Sequence, residues 1–226
     1  MPGLRHGRVA APLLGLCLLA VRPAGAADAV AAVPTSASSA ADASTLAKRS
    51  LAACDSGRNA TARDERLAHF TEGEQLARQA LAANDADAQA HFALFCNMGE
   101  AMRIDGESVQ ALVGLGKLMR ELDRTLELDP NHLDAMSAKG TLLVRLPRVF
   151  GGDVPTGEKL LRRVAEEDPN AYNSRINLAR VCADRGETDE AVRFATRALE
   201  IARAKNRPEK VAEAQDVLAK LGAPAH

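Results

Sequence analysis

Residues 168–201 read DPNAYNSRINLARVCADRGETDEAVRFATRALEI, and their spacing predicts two short amphipathic helices folded back on one another. In the first half Tyr172, Arg175, Leu178, Ala179 and Cys182 recur on one helical face. In the second, Ala191, Phe194, Ala195, Ala198, Leu199 and Ala202 recur at i, i+3, i+4, i+7, i+8 and i+11, a continuous apolar stripe. Gly186 is placed to end the first helix in a left-handed conformation. Thr188 is expected to cap the second, and Asp168-Pro169-Asn170 punctuates the entry.

The same Asp-Pro-Asn stop recurs at Asp129-Pro130-Asn131, and Asn84-Asp85-Ala86-Asp87 imitates it without the proline. Recurrence at this interval is the signature of stacked repeats. Composition agrees: aromatic residues make up 3% of the 226-residue chain, with no Trp, while 46% is apolar and largely Ala and Leu. Barrels and sandwiches draw on β-branched and aromatic residues, so an all-α chain is expected.

These residues resemble the tetratricopeptide repeat (TPR) family. Small Ala179 lets the paired helices approach, Ala191 and Ala198 seat the second helix, and Pro169 closes the preceding repeat. The resemblance implies a right-handed all-α solenoid of about four hairpins: 44–84, 86–129, 131–168 and 170–203. Within 44–222, a single helix at 207–221 would cover its end. That helix is expected to be capped by Asn206 with Glu209 in a capping box, and Pro208 suits its first turn. The interval from Pro130 to Pro169 exceeds the roughly 34 residues of a standard repeat by about five. The excess falls in Leu146–Pro155 (LPRVFGGDVP), between helices expected at 133–145 and about 156–167. This turn is similar to one in periplasmic TPR proteins of the T-component type associated with TRAP transporters. That resemblance implies a solute-binding accessory role, and an oligomer enclosing a cavity is compatible with it.

Before the repeats, residues 1–26 have the pattern of a cleaved signal peptide. Arg5, His6 and Arg8 form a basic start, residues 10–21 an apolar core too short to span a bilayer, and Ala24-Gly25-Ala26 a cleavage site. A periplasmic or secreted protein with no membrane span after signal removal is expected. Lipid attachment at Cys17 is disfavoured, because Leu16 precedes it and Cys17 lies inside the apolar core. Residues 27–43 hold little bulky apolar matter and are expected to form a disordered Ala/Ser-rich leader.

Chemistry-bearing motifs are sparse. The formal charge of −1 gives no electrostatic case for nucleic acid. His69, His91 and His132 stand apart, without the ligand spacing of a zinc site. Neither a phosphate-binding Gly-rich loop nor a nucleophile elbow occurs. No metal, cofactor or catalytic residue is therefore expected, and the chain reads as a scaffold for a protein or peptide partner. In TPR proteins the first helix of each hairpin lines the binding groove. Asn173, Asn177, Arg180 and Asp184 form a polar stripe on that helix, and Thr141 and Arg145 extend it into the preceding repeat. Arg donates in a planar fork and Asn both donates and accepts, so such residues can clamp a peptide backbone or a carboxylate. Arg148 and Phe150 in the inserted turn are a second candidate contact. Alternatively Phe150 plugs the turn from below, the reading favoured by two glycines that supply positive φ. Cys54, Cys96 and Cys182 form either one disulfide, Cys54–Cys96, with a free thiol, or three small core residues, and the core reading is preferred.

Overall fold

The computed structural model describes residues 36–105 and 109–223, all within the unit Pro34–His226. The expected signal peptide, the start of the leader, and the break at Gly106 lie outside the described residues. Nine α-helices follow one another there: α1 Ser36–Asn59, α2 Arg63–Ala83, α3 Ala88–Asp105, α4 Val109–Leu128, α5 Leu133–Arg145, α6 Val154–Glu167, α7 Tyr172–Asp184, α8 Thr188–Ala204 and α9 Pro208–Lys220. A short 3-10 turn at Arg148–Phe150 separates α5 from α6. No strand occurs among the described residues, and none of these helices is long and apolar enough to cross a membrane.

The helices pair in sequence order, α1 with α2, α3 with α4, α5 with α6 and α7 with α8, while α9 closes on α8 and α7. First helices of successive hairpins also pack on one another at α1–α3 and α5–α7, and α7 packs likewise on the terminal α9. This is a TPR-type solenoid of four hairpins with a terminal helix. Between the second and third hairpins contact is thin and runs mainly through α4 and α5. There Lys139 reaches Asp123 at 2.6 Å, and the Phe92 ring lies 4.7 Å from that of His132.

The three punctuating turns share one device. Asp129 Oδ1 accepts from Asn131 N at 3.0 Å, Asp168 Oδ1 from Asn170 N at 2.7 Å, and Asn84 Oδ1 from Ala86 N at 3.1 Å. A short polar side chain folds the backbone two residues on, so the first turn forms without proline. Buried Arg175 reinforces the third turn by donating to the carbonyls of Asp168, Ala171 and Ala165, the last near the C-terminal end of α6, where carbonyls lack helical partners.

Gly186, at φ 77°, ends α7 as expected. Its N–H bonds Ala183 O and Glu187 N–H bonds Cys182 O, the Schellman pair. Because that motif fixes Glu187, the helix starts one residue early; Thr188 is its first residue and does not cap it. Asn206 is likewise corrected. It takes φ 49° and closes α8, with Arg207 N–H bonded to Ala202 O, so no side chain caps α9.

The expected leader is corrected in its second half, since α1 begins at Ser36 and Ala43 is fully buried. Alanine suffices here because the seam is narrow: Ala47, Ala80 and Ala90 meet where α1, α2 and α3 cross. The cysteine preference is also corrected. Cys54 of α1 and Cys96 of α3 are joined by a disulfide, with Cα atoms 6.4 Å apart, beside buried Phe70. Cys182 alone among the described cysteines is free, and it is buried.

Candidate partner-binding face

Helices α5, α7 and α9 lie side by side, and a series of polar residues runs across them. Ser137 Oγ of α5 lies 3.0 Å from Ser174 Oγ of α7. One turn on, Asn177 donates through Nδ2 to Thr141 Oγ1 at 3.2 Å and to Asn173 O at 2.8 Å. On the α9 side Arg180 donates to Glu213 Oε1 at 2.7 Å. The Tyr172 hydroxyl lies 2.9 Å from Glu213 Oε2 and 2.8 Å from Lys210 O, and Lys210 Nζ sits 4.8 Å from the centre of the Tyr172 ring.

Charges on this face are mutually tuned. Burial pushes the Glu213 carboxyl up, but hydrogen bonds from Arg180 and Tyr172 outweigh it and hold the group below its usual range; Arg145 adds a weaker pull. Burial, then Glu213, drives the Tyr172 hydroxyl well above the usual tyrosine range. Lys210 is lowered by burial and by neighbouring Arg207. At the N-terminal end of α7 the face opens into a cleft of about 220 Å³, whose polar lining includes Ser137, Asn173, Lys205, Arg207 and Lys210.

The expected polar stripe is therefore partly corrected. Asn173 is exposed and Arg180 half-exposed, but Asn177 is only 4% accessible, and its Oδ1 has no hydrogen-bond partner. By spacing alone the stripe faces solvent; α7 instead has helices on both flanks, and residues 174–179 are buried without a break. Asn177 is thus a tie between helices. Arg145 is exposed at the end of α5. Sequence spacing places Tyr172 only in the core, and it passes over Lys210 and Glu213 because the apolar face of α9 dominates its pattern. The available signal is the chain's single tyrosine at the mouth of a repeat.

In the inserted turn Phe150 is not a plug. It is 48% exposed and Val149 84%. Only Gly151 has positive φ, at 89°. Gly152 is required for a different reason: a Cβ there would collide with the Leu146 carbonyl oxygen. Arg148 is exposed beside them, three residues beyond Arg145.

Two other clusters have structural explanations. His91 of α3 lies 2.7 Å from Glu121 Oε2 through Nδ1 and 3.0 Å from Asp85 O through Nε2, tying α4 to the first turn. His132 caps α5 by accepting from Ala135 N. Cys182, Glu187 and Glu190 bring ligand-type atoms within 4.8 Å of one another. However, Arg162 binds Glu190 at 2.8 Å and Arg185 binds Glu187 at 2.7 Å. Burial pushes the Cys182 thiol up to about 11. Two guanidiniums and a protonated thiol are poorly suited to a cation.

No protein-family model matches this chain, and no curated protein matches it. Among solved structures it is similar to MamA from Desulfovibrio magneticus RS-1, at 13% identity over 81% of this chain and 93% of that one, with a TM-score of 0.47. MamA of AMB-1 gives 19% identity over 78% and 95%, also at 0.47. Yeast Tom70 gives 16% identity over 79% of this chain and 40% of that one, at 0.40. Likeness at this level carries nothing about function.

Proposed function

We propose that this chain is a non-catalytic exported scaffold that binds a protein or peptide partner across the face of α5, α7 and α9. The observation that carries the reading is the set of polar ties running across α5, α7 and the terminal helix α9, with Arg145 and Asn173 left exposed on them. Asn177 and Arg180 tie α7 to its neighbours, so the helices that carry the exposed groups are fixed before a partner arrives. Pre-ordering lowers the entropy cost of association. Arg145 supplies a planar fork for a carboxylate or backbone carbonyls, and Asn173 both donates and accepts. Export is supported by the pattern of residues 1–26 and by the Cys54–Cys96 disulfide, a bond that persists in oxidising compartments.

A second reading, a solute-binding accessory component of a transporter, draws on the cleft beside Lys205, Arg207 and Lys210. At about 220 Å³ it is smaller than the roughly 300–1,000 Å³ of ordinary small-molecule sites, so the partner-binding reading is preferred.

The test places a photo-crosslinking amino acid at Asn173 in the full chain, with a control at exposed Arg193 on α8. Irradiation in source cells is expected to trap one defined partner from position 173 and not from 193. Equal trapping from both positions, or none from 173, would remove the face from consideration.

A further inference from the structure

Ties between neighbouring hairpins are firm at both ends of the solenoid. Between α1 and α3 the Cys54–Cys96 disulfide is joined by Asn97, which donates to Ser50 O and to Ser50 Oγ, each at 3.1 Å. Asn97 and Ser50 are fully buried, where hydrogen bonds are shielded from water. Arg58 of α1 adds a bond to Glu100 of α3 at 2.8 Å. At the other end, α5, α7 and α9 are fastened by Ser137 with Ser174, Asn177 with Thr141, and Arg180 with Glu213. The middle differs. Among the described residues no hydrogen bond or ion pair joins α3 to α5, and these two helices do not pack side by side as α1–α3 and α5–α7 do.

What holds the two halves together is slight. Lys139 of α5 reaches Asp123 of α4 at 2.6 Å, but the two side chains are 25% and 47% exposed, and a pair open to water contributes little. The Phe92 ring of α3 rests against that of His132, at the entry to α5. The buried apolar clusters of α1 to α3 and of α7 to α9 each lie wholly to one side of this seam. Few shared buried contacts are the mark of a place that yields first.

The flanking contacts say where the bend falls. His91 Nδ1 lies 2.7 Å from Glu121 Oε2, so α4 stays with α3. Arg163 of α6 donates to Asn131 Oδ1 at 2.6 Å and to Pro130 O at 3.5 Å, so the turn at 129–132 stays with α5 and α6. That leaves the C-terminal end of α4, at Leu128, between them. Hinges ordinarily sit at such element ends, where a few residues absorb the change in φ and ψ. The turns at Asn84 and Asp168 use the same side-chain device as the one at Asp129, so the difference lies in the ties around it and not in the turn itself.

We propose that α1 to α4 and α5 to α9 are two rigid bodies that pivot about the C-terminal end of α4, so that α3 and α5 approach and separate. The Lys139–Asp123 pair and the Phe92–His132 contact are the latch of this hinge. The inference does not rest on where a partner binds.

The test places pairs of nitroxide labels in the full chain on an incorporated ketone-bearing amino acid, which leaves the native cysteines untouched. The sites are all exposed: Lys48 with Arg120 within the first body, Lys159 with Ala212 within the second, and Lys48 with Ala212 across the hinge. Pulsed dipolar electron paramagnetic resonance reports the distance distribution of each pair. The cross-hinge distribution should be broader than either within-body one. Lys139→Ala should broaden it further, with the within-body distributions and the helical content unchanged. A cross-hinge distribution as narrow as the other two would overturn the proposal. A Lys139→Ala distribution that matches wild type would overturn the assignment of the latch.

Discussion

Removing the Cys54–Cys96 bond is the perturbation whose size follows most directly from the fold. The two cysteines are 42 residues apart in sequence, and the bond ties α1 to α3 across the first two hairpins. Cross-linking a loop of that length removes unfolded-state entropy worth about 4 kcal/mol at 25 °C in the chain-entropy account. Replacing both residues with Ala also leaves a small void beside Phe70, so the loss should reach at least that figure. The assay is equilibrium urea unfolding of wild type and Cys54→Ala/Cys96→Ala, each with and without reductant. The double variant should unfold at lower urea, with a larger m-value because its unfolded chain is less compact. Reductant should shift the wild type towards the variant and leave the variant where it is. A wild type indifferent to reductant, or a stability difference below about 1 kcal/mol, would refute the reasoning.

Other consequences follow from particular contacts. At Gly157 an added Cβ would lie 2.8 Å from the Gly140 carbonyl oxygen and 2.7 Å from Val144 Cγ1. Gly157→Ala should therefore cost about 1–3 kcal/mol. Exposed Gly116 has only Arg120 Nη1 within reach, at 3.7 Å. Gly116→Ala should raise stability by up to about 1 kcal/mol, and thermal melts distinguish the two signs. Glu213 is held below its usual range, so its contribution is complete above the ordinary carboxylate pKa and is lost as pH falls through the folded value. Between pH 7 and about 3 the melting temperature of wild type should fall further than that of Glu213→Gln, and parallel curves would contradict the clasp between α7 and α9. Cys182, buried with its thiol pushed up to about 11, should resist alkylation at neutral pH until denaturant is added, as peptide mass spectrometry would report.

What is legible in the sequence is what the chain settles locally. The Asp-Pro-Asn stops and Gly186 act over two to five residues, and each forms the turn its sequence implies. Asn206 misleads because α8 and α9 are joined so tightly that one residue qualifies both as a closing αL position and as an N-cap. Competition between two local motifs is invisible without the helix axes. Asn177 misleads for a non-local reason, since a stripe opposite an apolar face reads as solvent-facing unless another helix covers it. The early start of α1 is hidden because Ala-rich sequence looks too poor to bury, although narrow Ala–Ala crossings need no bulk. Phe150 misleads for the opposite reason, because a large apolar side chain is expected to be covered.

The central claim, that a partner is held on the α5–α7–α9 face, is tested most directly by affinity. Peptides selected from a random display library against the full chain would be measured by calorimetry on wild type, on Arg145→Ala/Asn173→Ala and on Phe150→Asp. The account predicts that the double variant loses at least about tenfold, as expected when an arginine anchor and a second hydrogen-bonding group are both removed. Phe150→Asp should bind as wild type does. Unchanged affinity in the double variant, or loss only in Phe150→Asp, would contradict it.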